Sequence, residues 1–327
     1  MHIANDFRNY GLQRSKVGVG LKVCGTQTCR TYDRRLEVHG FTVLELIVCV
    51  AIISVVAALL LPAVNAARES SRAMSCKDKL RQTGIAIISY EAKKNHYPIH
   101  TGGSQNHTYH WHQQILPEIE QSELFDRIQN DISNGLNWDE LSGMRVRIGL
   151  FECPSDPISN SLVRNTVQGR LFAATNYVGI VGQSLALDDG FFPGKWGSPR
   201  KAQPRRARDI VDGLSNTFCL SERPLSSITL VGAWQSSQDY GHEILGLYES
   251  LDYTPIRQEF GICEIPFGLG RSETFCDQFH PWSYHGSGAN FTKGDGSVLW
   301  VPYSTDEKVL RSMCTRAGGD VSPLSDN

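Results

Sequence analysis

The segment from Thr42 to Leu61 limits what this chain can fold into more than any other. Leu, Ile, Val and Ala dominate it, Glu45 is its only ionisable carboxylate, and Pro62 follows directly. About 20 residues at about 1.5 Å each make a helix of about 30 Å, the thickness of a bilayer's hydrocarbon core. The segment is therefore expected to be a membrane helix. Glu45 falls near its start, where a charge is costly and is usually retained for function.

Charge sets the direction of insertion. The chain has 327 residues, enough for one large or two small domains. Residues 1–40 carry seven Lys/Arg against three acids, a net +4, which leaves 25 basic and 31 acidic residues, or −6, for the rest. A basic N-terminal flank stays in the cytoplasm and the part beyond the helix is exported. The acidic remainder, with no basic patch interleaved with aromatics, argues against nucleic acid as a partner. Residues 1–40 lack hydrophobic periodicity and read as a leader.

The junction Gly40-Phe41-Thr42-Val43-Leu44-Glu45, followed by the unbroken apolar run, resembles the N-terminus of type IV prepilins and pseudopilins. The resemblance implies that a prepilin peptidase cuts after Gly40 and N-methylates Phe41. It implies that Glu45 pairs with the terminal amine of a neighbouring subunit and that Pro62 marks a kink where the helix leaves the bilayer. The pairing is physically reasonable, because a buried carboxylate needs a cationic partner and a newly cut α-amine supplies one. His39 and the order Val43-Leu44 depart from the usual family pattern, and residues 1–40 are long for such a leader. An uncleaved signal anchor is the plainer alternative.

Past Pro62 the helical pattern resumes from Ala63 to Tyr90, with Met74, Leu80, Ile85, Ile87 and Ile88 approximating one apolar face. Tyr97-Pro98 ends it, since proline disfavours helix in the residue before it. Strand candidates follow: Tyr177–Val181, Thr217–Leu220, Ser227–Trp234, and a hairpin of Phe291-Thr292 and Val298–Val301. Asp189-Gly190, Asp212-Gly213 and Asp295-Gly296 read as tight turns, and residues 236–280 as loops. The order, helix first and strands later, indicates an α+β fold. It comprises a leader (1–40), a transmembrane helix (41–62), its amphipathic continuation (63–96) and a globular domain with an antiparallel sheet (97–327).

Several motifs in order narrow the resemblance. They are Cys76-x-x-x-Leu80 running to Gly84, Trp111 through Leu124, Cys153-Pro154-Ser155-Asp156, Thr175-Asn176-Tyr177-Val178-Gly179, Ile210 through Thr217 with Glu222, and His285 followed by nine residues and Asp295-Gly296. Together they resemble a large bacterial subfamily of pilin-like proteins, a domain of unknown function with a His-(nine residues)-Asp-Gly signature. The resemblance extends from Gly40 to about Gly319.

Candidate chemistry is sparse. Six of the nine cysteines lie in the exported part, an even number in an oxidising compartment. At least one disulfide is expected, with Cys76–Cys153 the first pairing to consider and buried free thiols the alternative. No CxxC pair suggests a zinc ribbon. His110 and His112 would point the same way on a strand and could hold zinc or copper; a polar surface loop is the plainer reading. His285 and Asp295 are expected to hydrogen-bond across the hairpin. Alternatively Asp295 ligates calcium, as in the C-terminal loop of major pseudopilins, or the two form a catalytic dyad. Ser283 and Ser287 lie in no nucleophile-elbow context, which disfavours the dyad. Glu222 is expected to be a buried structural carboxylate paired with Arg223 or a turn.

Three functional classes remain. The expected one is a non-enzymatic pilin-like subunit of a secretion or surface-fibre apparatus. It would be a single-pass inner-membrane protein with a cytoplasmic N-terminus and a periplasmic or extracellular domain, partnered by prepilin peptidase and other pilin-like subunits, and without a required cofactor. The others are a membrane-anchored binding module for glycan, peptide or metal, and a stalked hydrolase.

Overall fold

A single helix, α1 (Val43–Lys94), accounts for the apolar segment and its polar continuation, and it runs through Pro62. It begins at Thr42, whose backbone N–H and hydroxyl both donate to Glu45 Oε2 at 2.8 Å, while Glu45 N donates to Thr42 Oγ1 at 3.3 Å. This reciprocal capping box satisfies N–H groups that a helix start leaves without partners. The helix ends at Asn95, which takes the left-handed conformation (φ 60°).

In this computed structural model the described residues are 19–25, 28–34, 42–99, 110–136, 140–159, 162–164, 171–183, 187, 189–193, 203–225, 232, 234, 244–246, 250–251, 263–264, 267–274 and 276–319. The chain divides into two compact units, residues 1–64 and 65–327.

In the first unit, β1 (Val19–Gly25) and β2 (Thr28–Arg34) pair antiparallel. This hairpin is regular structure within the expected leader. Its signal is the alternation Val19-x-Leu21-x-Val23, a period-2 pattern confined to one short stretch. The apolar part of α1 is long and apolar enough to cross a membrane, and none of it is buried.

In the second unit, α2 (Trp111–Gln114) and α3 (Ser122–Ser133) precede the strands. Two short pairs are β3 (Val163–Arg164) with β4 (Leu171–Phe172) and β8 (Ser250–Leu251) with β9 (Cys263–Glu264). The main sheet has the order β11-β10-β6-β5-β7 and is built from β5 (Tyr177–Gly182), β6 (Phe218–Glu222), β7 (Ile244–Gly246), β10 (Gly288–Lys293) and β11 (Val298–Pro302). All pairings in it are antiparallel, as expected, except β5 with β7, which is parallel and makes the sheet mixed at that edge. The α+β class stands.

Strand alternation sorts side chains onto two faces. On β10, Ala289 and Phe291 point into a core with Val301, Leu310, Met313 and Cys314, covered by α4 (Glu307–Cys314). Thr292 points to the other face and donates to the Leu80 carbonyl of α1 at 3.4 Å. There Leu80, Ile87 and Tyr90 of α1 join an aromatic-rich core with Trp111, Phe151, Tyr177 and Phe191. The buried residues of α1 are Cys76, Leu80, Thr83, Gly84, Ala86, Ile87 and Tyr90. Met74 and Ile85, expected on the buried face, are 64% and 51% exposed. The buried set contains a cysteine, a threonine and a glycine, which hydrophobicity alone does not mark.

Gly84 is required by close approach. A Cβ there would lie 2.7 Å from Thr292 Cγ2 and 3.3 Å from the Gly296 Cα. The β10–β11 turn thus rests directly on the helix backbone. The turn itself follows the Asp-Gly signal, with Gly296 at φ 82° and its N–H donating to the Lys293 carbonyl at 2.9 Å.

Candidate functional site

Among the described residues, Cys, His and carboxylate side chains converge where α1 passes the ends of β6 and β10. Glu69 and Cys76 come from α1, seven positions or about two turns apart, and so project from one side of the helix. Glu222 closes β6, and His285 comes from the segment that enters β10. Cys153 opens the Cys-Pro-Ser-Asp turn.

Cys76 and Cys153 are joined as a disulfide with a Cα–Cα distance of 5.3 Å. His285 lies against it, with Nε2 3.5 Å from Cys153 Sγ. The same Nε2 is 3.6 Å from Glu222 Oε1, and Nδ1 is 3.1 Å from Glu69 Oε1. The imidazole is thus held between two carboxylates, with its side chain 2% exposed. Ser155 Oγ donates to Glu69 Oε1 at 2.8 Å. Glu222 accepts from Asn290 N at 2.7 Å on Oε2, and the Asn290 amide adds contacts to both oxygens at 3.1 and 3.2 Å.

The turn that delivers Cys153 is anchored by a second buried pair. Asn176 Nδ2 donates to Asp156 Oδ2 at 2.6 Å, and Leu225 N donates to the same oxygen at 2.8 Å. Ile158 N donates to Asp156 Oδ1 at 2.8 Å, closing an Asx turn. Asn176 Oδ1 accepts from Cys153 N at 2.7 Å, and the Asn176 carbonyl accepts from Arg223 N at 2.7 Å. The strand β5 and the cysteine turn are therefore fixed to each other through one asparagine.

Burial sets the electrostatics. It pushes the Glu222 carboxyl above its ordinary range; the charge of His285 and the Asn290 bonds offset this only in part. Burial also pushes Glu69 up, but hydrogen bonds from Ser155 and His285 and the nearby His285 charge outweigh it, so its carboxyl sits below the usual value. Asp156 is raised by burial despite its four hydrogen-bond donors. Two carboxylates on one imidazole are thus pushed in opposite directions.

The other expected site residues are placed as follows. Gly40 and Phe41 lie outside the described residues. Glu45 caps the start of α1. His110 and His112 are not on a strand: His110 immediately precedes α2 and His112 is within it. Neither belongs to a surface loop, because both are buried. His112 stacks on Trp111 (centroids 3.5 Å apart), meets the Phe151 ring edge-on, and has Nε2 3.1 Å from Thr175 Oγ1. The apolar Trp111 between them carries the segment into the core.

His285 and Asp295 do not pair. The intervening strand β10 has six residues, about 20 Å of extended chain, so the two lie beyond its opposite ends. Asp295 Oδ1 instead accepts from Ser297 N at 2.9 Å and Ser297 Oγ at 2.7 Å, closing its own turn. Glu222 faces His285 and Asn290, while the Arg223 guanidinium approaches the Gln278 carbonyl. Among the described residues, one group of His, Cys and carboxylate ligand atoms converges: Cys76, Cys153, Glu222 and His285, all within 4.8 Å of one another. Asp295, His110 and His112 are not in it. Sequence reasoning passed over Glu69 and Asn290. Glu69 had a readable signal in its seven-residue offset from Cys76; Asn290 had none, since its partner is set by strand pairing.

The architecture defines a class: an N-terminal helix of membrane-spanning length and composition, leading into an α+β unit with a mixed five-stranded sheet. The chain belongs to the family described as Protein of unknown function (DUF1559), whose model matches residues 65–308. No curated protein and no solved structure matches it.

Proposed function

We propose that the chain is a pilin-like subunit of the cell envelope. In this reading, prepilin peptidase cuts after Gly40, Phe41 becomes the methylated N-terminus, and α1 holds the protein in the inner membrane with its globular domain outside. Assembly into a secretion or surface-fibre apparatus proceeds through α1 and other pilin-like subunits, and no catalytic step is assigned.

One observation carries the reading. Fourteen large aliphatic side chains between Val43 and Val64 are exposed. At about 1.5–3 kcal/mol for each such side chain removed from water, leaving them uncovered costs tens of kcal/mol. Lipid or neighbouring helices must cover them. Glu45 supports the assembly role: its carboxylate already reaches back to the Thr42 N–H, one residue from the amine that cleavage would create. In an apolar surrounding that carboxylate needs a cation, and a neighbour's α-amine fits.

The test is intact-mass measurement and N-terminal sequencing of protein recovered from membranes. The expected product begins at methylated Phe41. Recovery with residues 1–40 attached overturns the reading. Chemical crosslinking in membranes then probes assembly: Glu45→Ala should lower self-association at least several-fold while the amount of membrane-inserted protein is unchanged.

A further inference from the structure

The group around the Cys76–Cys153 disulfide contains more than a disulfide requires. A cross-link between α1 and the cysteine turn needs no imidazole in contact with it and no buried carboxylate beyond. Yet His285 Nε2 is 3.5 Å from Cys153 Sγ and 3.6 Å from Glu222 Oε1. Each partner is in turn held by a group behind it: His285 by Glu69, Glu69 by Ser155, and Glu222 by Asn290.

We propose that the dithiol form of this site binds one zinc-class divalent cation through Cys76 Sγ, Cys153 Sγ, His285 Nε2 and Glu222 Oε1. The donor set is two thiolates, one imidazole and one carboxylate, which suits a tetrahedral, borderline-soft ion. The edge lengths agree. Zinc bonds of about 2.3 Å to sulfur and about 2.0–2.1 Å to nitrogen or oxygen give tetrahedral edges of about 3.3–3.8 Å, the longest between the two sulfurs. The His285 edges to Cys153 and Glu222, 3.5 and 3.6 Å, already lie in that range, and all four donor atoms lie within 4.8 Å of one another. The surroundings are those of a built metal centre. A ligating imidazole ordinarily gives its other N–H to a carboxylate, which fixes the tautomer, and Glu69 stands at His285 Nδ1. Asn290 fixes the Glu222 carboxylate in the same way, and Glu69 is thereby a positioning residue rather than a ligand.

Disulfide and metal exclude each other. Opening the disulfide takes two electrons and two protons from a dithiol reductant, which itself becomes a disulfide. The cation then displaces one proton from each thiol as two metal–sulfur bonds form, and His285 contributes the lone pair of its unprotonated Nε2. The site thus has an oxidised, cross-linked form and a reduced, metal-bound form.

The test uses the full-length chain in detergent, reduced without oxygen, freed of reductant and titrated with Co²⁺. One Co²⁺ per chain is expected, with thiolate-to-metal charge-transfer absorption and the strong d–d bands of a tetrahedral site, displaced by Zn²⁺ and not seen with the oxidised chain. His285→Gln and Glu222→Gln should each weaken binding at least about tenfold and alter the d–d bands. Glu69→Gln should weaken it about 10–100-fold without changing the ligand set. Asp295→Ala should change nothing. A reduced chain that keeps its thermal transition and gives no thiolate band overturns the proposal, as does an unaltered spectrum in His285→Gln and Glu222→Gln. Should reduction alone unfold the chain, reduction is repeated with Zn²⁺ present. Protection of Cys76 and Cys153 from alkylation, mapped by peptide mass and lost in His285→Gln, then supports the site; its absence refutes it.

Discussion

Replacing Gly84 by alanine sets two known effects against each other at one position. Gly84 is in the interior of α1, and Gly→Ala in a helix interior ordinarily stabilises by about 1 kcal/mol. Against that, the new Cβ would sit 2.7 Å from Thr292 Cγ2 and 3.3 Å from the Gly296 Cα. The first contact is to a fully buried β-branched side chain, whose hydroxyl is also bonded to the Leu80 carbonyl. Such a side chain has little rotamer freedom with which to retreat. The second is to backbone. Overpacking of this kind costs about 1–3 kcal/mol, and with two stiff neighbours the upper half of that range applies. The net expectation is a loss of about 1–2 kcal/mol, or a Tm lowered by about 2–8 °C for a unit of this size. The assay is thermal unfolding of wild type, Gly84→Ala, Thr292→Ser and the double variant. Thr292→Ser removes the clashing methyl, so Gly84→Ala should cost less in that background, with a coupling of about 1 kcal/mol. A Gly84→Ala protein that melts higher than wild type would show that the β10–β11 turn does not rest on the helix as described.

Two further outcomes are expected. Reducing the Cys76–Cys153 bond with metal chelated away opens a link spanning 77 positions, which loop entropy values at about 4.5 kcal/mol; urea midpoints should fall accordingly, and an unchanged midpoint would mean that the link does not constrain the unfolded chain. Glu118 is pushed up by burial but lowered overall by hydrogen bonds from Lys93 and Ser89, including an ion pair of 2.6 Å to Lys93. A lowered carboxyl contributes stability above its unfolded value near 4.5 and loses it as pH falls through the folded value. Since Lys93 is largely exposed, Glu118→Gln should cost no more than about 1 kcal/mol at pH 7, and the gap from wild type should close below about pH 4.5 in a denaturation series; a gap that persists in acid would assign the loss to packing.

The features legible in the amino-acid order are those that a few neighbouring residues decide. The apolar run from Thr42 needs only its length and composition to be a helix able to span a membrane, because rise per residue and bilayer thickness are constants. The Asp295-Gly296 turn is local for the same reason: one residue must take positive φ, and glycine does so without penalty. The Asx turn of Asp156 is local as well. The choice of long-range partners is not: the Cys76–Cys153 link joins residues 77 positions apart and was only the first pairing to consider. The nine residues between His285 and Asp295 suggested contact, yet they contain a strand that carries the two apart. The imidazole's actual neighbours, Glu69 and Glu222, lie 216 and 63 positions away and arrive by helix-on-sheet packing and strand pairing. His110 and His112 were misjudged because Trp111 between them outweighs two polar rings when a segment chooses core or surface. Local sequence specifies backbone conformation, since that energy is settled within a turn or two. Only the closed tertiary structure decides which polar groups share a buried space, because burial is a property of everything packed around them.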